Sequence, residues 1–166
     1  MSSFDWAMLL LRVGTGLVIL AHGVNHAKGR NRTTAWFDSI GFRKAEMQWF
    51  ASTASELAIG SALIAGLLTG PAAAGLVAVM FVAYWSVHKN NGFFIFRPGE
   101  GWEYVATLAM VGAVIAVAGP GSASIDHALG IDEDLAGSIG GLLVVGGIAA
   151  AAAQLALFFR PPAAGP

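Results

Sequence analysis

The chain contains no cysteine. That excludes disulfides, thiolate-ligated zinc, iron–sulfur clusters and dithiol relays, so a redox role has to run through a bound cofactor, a quinone or a partner's chemistry. Charge is scarce as well. Only 11% of the 166 residues are Asp, Glu, Lys or Arg, where soluble domains carry about 25%. A net charge of −1 with no long basic patch removes the electrostatic footprint that a nucleic-acid partner requires. No basic stretch precedes the first apolar run, where Asp5 is the only early charge. That run is therefore expected to be a retained helix rather than a signal peptide.

What fills the space is apolar: 56% hydrophobic residues and a mean hydropathy of +0.68. These residues gather in blocks near the ~20-residue length that crosses a bilayer. Five such blocks are expected to be helical, at about 6–23, 49–68, 71–87, 102–118 and 135–159. Only Thr69 and Gly70 separate the second from the third, and Pro71 suits a first helical turn. The pair reads as a tight hairpin. The fold class is all-α, a polytopic transmembrane helix bundle. Small residues recur every fourth position at Ala58, Ala62 and Gly66, at Gly137 and Gly141, and at Gly147 and Ala151. Such faces let helices approach closely in lipid, within the bundle or in a homo-oligomer through the fifth helix.

Every lysine and arginine except Arg12 lies in the first connection (Lys28, Arg30, Arg32, Arg43, Lys44), the third (Lys89, Arg97) or the C-terminal stretch (Arg160). With five spans these fall on one side, which the positive-inside rule makes cytoplasmic. The expectation is an N-terminus outside and a C-terminus inside.

Ionisable groups inside a bilayer are costly and call for a partner or a function. Arg12 lies about six residues into the first helix, or ~9 Å; it either snorkels outward or turns into the bundle to meet a carboxylate. Glu56, about seven residues into the second helix, is either a structural hydrogen-bonder or a proton-handling or ligand group, with Arg12 or His22 as first candidate partners. His22 and His26 in "HGVNH", with Asn25 beside them, share one helix face if the helix extends that far. His88 closes the third helix and Glu103 opens the fourth. The topology brings His22, Glu56, His88 and Glu103 toward one leaflet, with Arg12, Asn25, His26, Asn91 and Tyr104 as supporting groups. Imidazoles and carboxylates suffice to ligate a first-row metal or to hold and protonate a quinone head group; the generic spacing disfavours the metal. The run 93–96 is expected to lie in the membrane interface and roof the cavity, with Phe93 and Phe94 as an apolar gate.

The ordered motifs "LLRVGTGLVILAHGVNHAKG", "SELAIGSALIAGLLTG", "HKNNGFFIFRPGEGWEY" and "GPGSASID" resemble the DoxX family of small bacterial membrane proteins over about 8–128. The family pattern falls on Arg12, His22, Gly23, Glu56, His88, Asn91, Gly92, Phe93, Phe94, Glu103, Tyr104, Gly119, Pro120, Gly121, Ser124 and Asp126. The resemblance implies a four-helix membrane domain at 1–130, to which this chain adds a fifth helix at 131–160 and a frayed tail at 161–166. It also implies the bacterial cytoplasmic (inner) membrane and a redox-linked role beside protein partners in an oxidoreductase complex.

Three functions follow as expectations. The first is a quinone-interacting protein or the membrane subunit of an oxidoreductase, with no electron carrier visible in the chain itself. The second is a non-catalytic anchor or assembly factor for soluble redox enzymes, docking through the basic first connection at 27–48. The third, ranked last for want of an inverted repeat, is a small-molecule or lipid transporter. Whether the chain is catalytic stays open at this point.

Overall fold

In the computed structural model, which describes residues 1–161, the helix ends are set by caps and left-handed residues. Ser2 opens α1 (Ser3–Lys28): its hydroxyl accepts from Asp5 N at 3.2 Å, and Asp5 Oδ2 accepts from Ser2 N at 2.6 Å. Gly29 ends α1 and leads into α2 (Arg30–Ser39). Lys44 and Gly66, both in the left-handed region, bracket α3 (Ala45–Ala65). Left-handed Leu68 precedes α4 (Thr69–Ala83), which puts Pro71 in the first turn and closes the expected hairpin. A single π turn, Tyr84–His88, continues α4. α5 (Glu103–Ala118), the short α6 (Ile125–Leu129) and α7 (Gly137–Phe158) complete the described chain. Of the tail expected at 161–166, residues 162–166 lie outside the described residues.

The contacts define two ends. Arg12 meets the carbonyls of Leu63, Pro120 and Ala123, and Asp126 meets the amides of Leu68 and Thr69. At the opposite end His26 approaches Glu56, and Gln48 bonds Gln154. Helices α1, α3, α4, α5 and α7 therefore alternate in direction. Those containing Ser3–Lys28, Thr69–His88 and Gly137–Phe158 are each long and apolar enough to cross a membrane. Helix α5 is apolar but shorter, and α3 carries Glu46, Gln48 and Glu56 within 21 residues, ~31 Å of helix. Leu10, Leu17, Phe50, Met110, Leu142 and Val145 are exposed on the outer faces, as lipid contact requires. The molecule is a polytopic transmembrane bundle.

Close packing uses some of the expected small residues, Gly147 among them, and others that were not expected. Helices α1 and α3 meet at Gly16 and Gly60, where an added Cβ would come within 2.8 Å and 2.7 Å of the opposing backbone. Ala58, on the expected face, is exposed instead. On α7 the approach to α5 is at Gly140, against the Ala116 carbonyl, and the approach to α4 is at Gly147, where a Cβ would lie 2.7 Å from the Ala74 carbonyl. Gly137 and Gly141 meet no described atom within 4 Å. The fifth long helix is stitched in. Arg43 N donates to Phe158 O and Arg160 N to Gly41 O, both at 2.8 Å, and Phe37, Phe42, Leu155 and Phe159 form a second small core.

Candidate functional site

Helix α1 runs far enough to carry both His22 and His26, four residues apart, along one face. Opposite them on α3, Glu56 is 6% exposed. Its Oε2 lies 2.8 Å from His26 Nδ1, an ion-pair distance, yet the angles fall outside hydrogen-bond geometry, and neither atom has a hydrogen-bond partner among the described residues. Ser52 reaches the other carboxyl oxygen only at 3.5 Å. A buried carboxyl group left this way normally carries a functional or ligand-linked explanation.

The π turn delivers His88 to the same end of the bundle. Its Nδ1 stands 2.7 Å from Glu100 O. A carbonyl only accepts, so Nδ1 carries a proton and donates to it. Tyr104 on α5 faces His22, ring centroids 6.4 Å apart. His22, His26, Glu56, His88 and Tyr104 line one cavity of about 540 Å³, inside the roughly 300–1,000 Å³ range of small-ligand pockets.

The segment 88–104 folds back to form part of the cavity wall, through Ile95 and Glu100. Glu103 is not in the lining: its Oε2 accepts from Ile95 N at 3.2 Å and so clamps the loop. Asn91 does the same, donating to the carbonyls of Val87 at 3.0 Å and of Gly99. The expected gate residues also stand elsewhere. Phe93 packs edge-on against Trp102 at 4.7 Å and against Phe94, and each of the two is 43% exposed. Ile95 occupies the place expected of them. Asn25 is exposed and accepts from Arg32 at 3.2 Å, away from the cavity.

Arg12 corrects another expectation. It is fully buried, but at the far end from Glu56, and its partners are backbone carbonyls rather than a carboxylate. Gln48, 2% exposed, and its partner Gln154 at 2.8 Å also line the cavity and were missed. Gln154 is an amide inside an apolar run, which the rule applied to Arg12 and Glu56 would have flagged; Gln48 falls just outside the expected span, beside Lys44 and Glu46, and carried no such signal. Among the described residues no three His, Asp or Glu side chains converge to hold a metal ion.

Fold and cavity together define a small polytopic membrane protein with a polar chamber at one end of its bundle. The DoxX family profile matches residues 7–89, half the chain, and the chain belongs to the DoxX family. That match carries His22, His26, Glu56 and His88; the loop, α5 and the Gly119–Asp126 stretch lie beyond it. No curated protein and no solved structure matches the chain.

Proposed function

We propose that this cavity binds a quinone head group and that the chain serves as a redox-linked membrane subunit. The observation that carries the reading is Glu56, buried, with one oxygen lacking an aligned hydrogen bond while facing His26 at 2.8 Å inside the cavity. Quinol oxidation releases protons at the two ring oxygens, and quinone reduction takes them up. Carboxyl and imidazole side chains are the groups that most often pass such protons. In this reading Glu56 and His26 form the proton-exchanging pair, His88 Nε2 accepts from a quinol hydroxyl, and Tyr104 donates to a carbonyl. The chain has no thiol, and in this reading the electrons pass to or from a partner protein. Solvent extraction of the gently solubilised protein, followed by mass spectrometry, is expected to yield a quinone, and added decyl-tailed benzoquinone is expected to bind saturably. Absence of both would sink the reading and favour an anchoring role through the exposed basic residues of α2.

The same reading places the His26 end in the cytoplasm of a bacterium, under the inner membrane. Lys28, Arg30, Arg32, Arg43, Lys44, Lys89, Arg97 and Arg160 all belong to that end, which is the support the positive-inside rule offers. The far end carries Asp132, whose carboxyl is held below the usual carboxylate range by the 2.8 Å hydrogen bond from His127. Because the parent has no cysteine, single-cysteine labelling is clean. Glu133→Cys should react with an impermeant maleimide from outside, and Asp38→Cys only after permeabilisation. The opposite pattern would invert the orientation.

A further inference from the structure

The charges around the cavity divide by sign. The chain has nine lysines and arginines, and none is among the residues that line the cavity, whereas Glu56 and Glu100 both are. The cations are held elsewhere. Arg12 is buried at the far end. Arg30 bonds Glu46 and lies 4.9 Å from the centroid of the Trp49 ring. Lys89 lies over Trp85 at 4.1 Å and Arg97 over Phe94 at 5.9 Å. Arg160 donates to the carbonyls of Ala156 and Phe159. All except Arg12 are exposed, where salt screens a charge beyond about 8 Å.

The lining offers an anion little in return. Glu56, 6% exposed, keeps one carboxyl oxygen without an aligned hydrogen bond. Glu100 can present only oxygen, because its amide already donates to Arg97 O at 2.9 Å, and its carboxylate has no ion-pair partner among the described residues. Imidazole is the one cationic group the lining can supply, and only when protonated. A proton on His26 is matched by Glu56, 2.8 Å away. Trp36 and Tyr104, also in the lining, carry ring faces that attract a cation. We propose that this chamber selects its ligand by charge, taking an uncharged or cationic group and rejecting a carboxylate, sulfonate or phosphate, with Glu56 setting the sign. The inference rests on the quinone reading above and deepens it, since a quinone and its quinol are both uncharged.

The test titrates three tail-less benzoquinones into the full-length protein in mild detergent: one uncharged, one bearing a trimethylammonium group and one bearing a sulfonate. The medium is held at about pH 8, above the ordinary imidazole range. Quenching of tryptophan fluorescence reads binding, with Trp36 in the lining. The ammonium probe should bind the parent at least as tightly as the uncharged one. The sulfonate should bind at least about ten-fold more weakly, the effect of a like charge about 8 Å away at an effective dielectric near 20. Glu56→Gln should bring the sulfonate and uncharged probes within about three-fold of each other. Ile95→Lys puts a cation into the lining from an exposed loop position. It should strengthen the sulfonate roughly ten-fold and leave the uncharged probe within about two-fold, which also shows that the variant has folded. The same micelle surrounds parent and variant, so that gain reports the lining. Should Glu56→Gln not fold, Ile95→Lys decides alone. A parent that binds the sulfonate as tightly as the uncharged probe overturns charge selection and leaves the quinone reading standing. So does a sulfonate affinity that neither variant improves relative to the uncharged probe. If the parent binds none of the three, or the sulfonate alone, the quinone reading fails and this inference falls with it.

Discussion

Replacing Arg12 by methionine should lower the thermal midpoint of the solubilised protein by roughly 10 °C, the consequence of losing a few kcal/mol in a chain of this size. Arg12 is fully buried, and four of its five N–H donors are engaged: Nε to Pro120 O at 2.9 Å, Nη1 to Leu63 O at 2.7 Å and Ile64 O at 3.4 Å, Nη2 to Ala123 O at 2.7 Å. Leu63 and Ile64 belong to the last turn of α3, whose carbonyls have no partner within the helix. The guanidinium therefore caps that helix and meets the negative end of its dipole. Asp126 answers at the next helix, taking the amides of Leu68 and Thr69 at the start of α4 at 2.7 and 2.8 Å. The hairpin turn is thus held by a cation on one side and an anion on the other. Gly66 sits between them with no room for a side chain, since a Cβ there would lie 2.5 Å from Ser124 Cβ and 2.7 Å from Arg12 Nη1. Methionine fills the volume but strands several carbonyls, each costing about 1–3 kcal/mol when buried without a donor. Lysine keeps the charge without the planar fork and should fall between the two. A methionine variant melting within about 2 °C of the parent, the effect of less than 1 kcal/mol, would show that the knot is not what closes this end.

Much of the architecture was legible because a bilayer forces long apolar helices and separates them by polar connections. The five expected spans correspond to α1, α3, α4 with its π turn, α5 and α7. What hydropathy does not encode is which residue on a helix meets its neighbour. Ala58, Ala62 and Gly66 had the right spacing, but α1 approaches α3 at Gly16 and Gly60 instead. The partners of Arg12 were illegible for a different reason. Backbone carbonyls carry no residue signature, and these come from positions 51 to 111 residues away along the chain. The cavity was half legible. Unusual polar residues marked His22, Glu56 and His88, whereas Glu103 and Glu100 exchanged places because the loop reverses through Gly92, Gly99 and Glu100, all at positive φ. Phe93 and Phe94 promised membrane affinity by composition, but Phe93 stacks edge-on against Trp102 and Phe94 packs on Phe93, which leaves Ile95 in the lining.

The Glu56→Gln variant should keep its fold and lose its ligand. Glutamine preserves the shape of a side chain that is 6% exposed, so packing changes little and the thermal midpoint should stay close to that of the parent. What changes is the partner of His26. Oε2 stands 2.8 Å from Nδ1, and an amide in its place can neither carry the negative charge nor exchange a proton. A hydrogen bond to a charged group contributes about 1.5–3 kcal/mol, so quinone affinity should fall roughly ten- to hundred-fold. His26→Gln should act in the same direction, and combining the two should add little, because both remove one pair. Ser52→Ala is the contrasting change: its hydroxyl reaches Glu56 only at 3.5 Å, and affinity should barely move. Titrating a tail-less benzoquinone across these variants separates the alternatives. A Glu56→Gln protein that binds the probe as the parent does, with Glu56→Ala lowering stability alone, would make the carboxyl a packing group and remove the basis for placing a head group beside it.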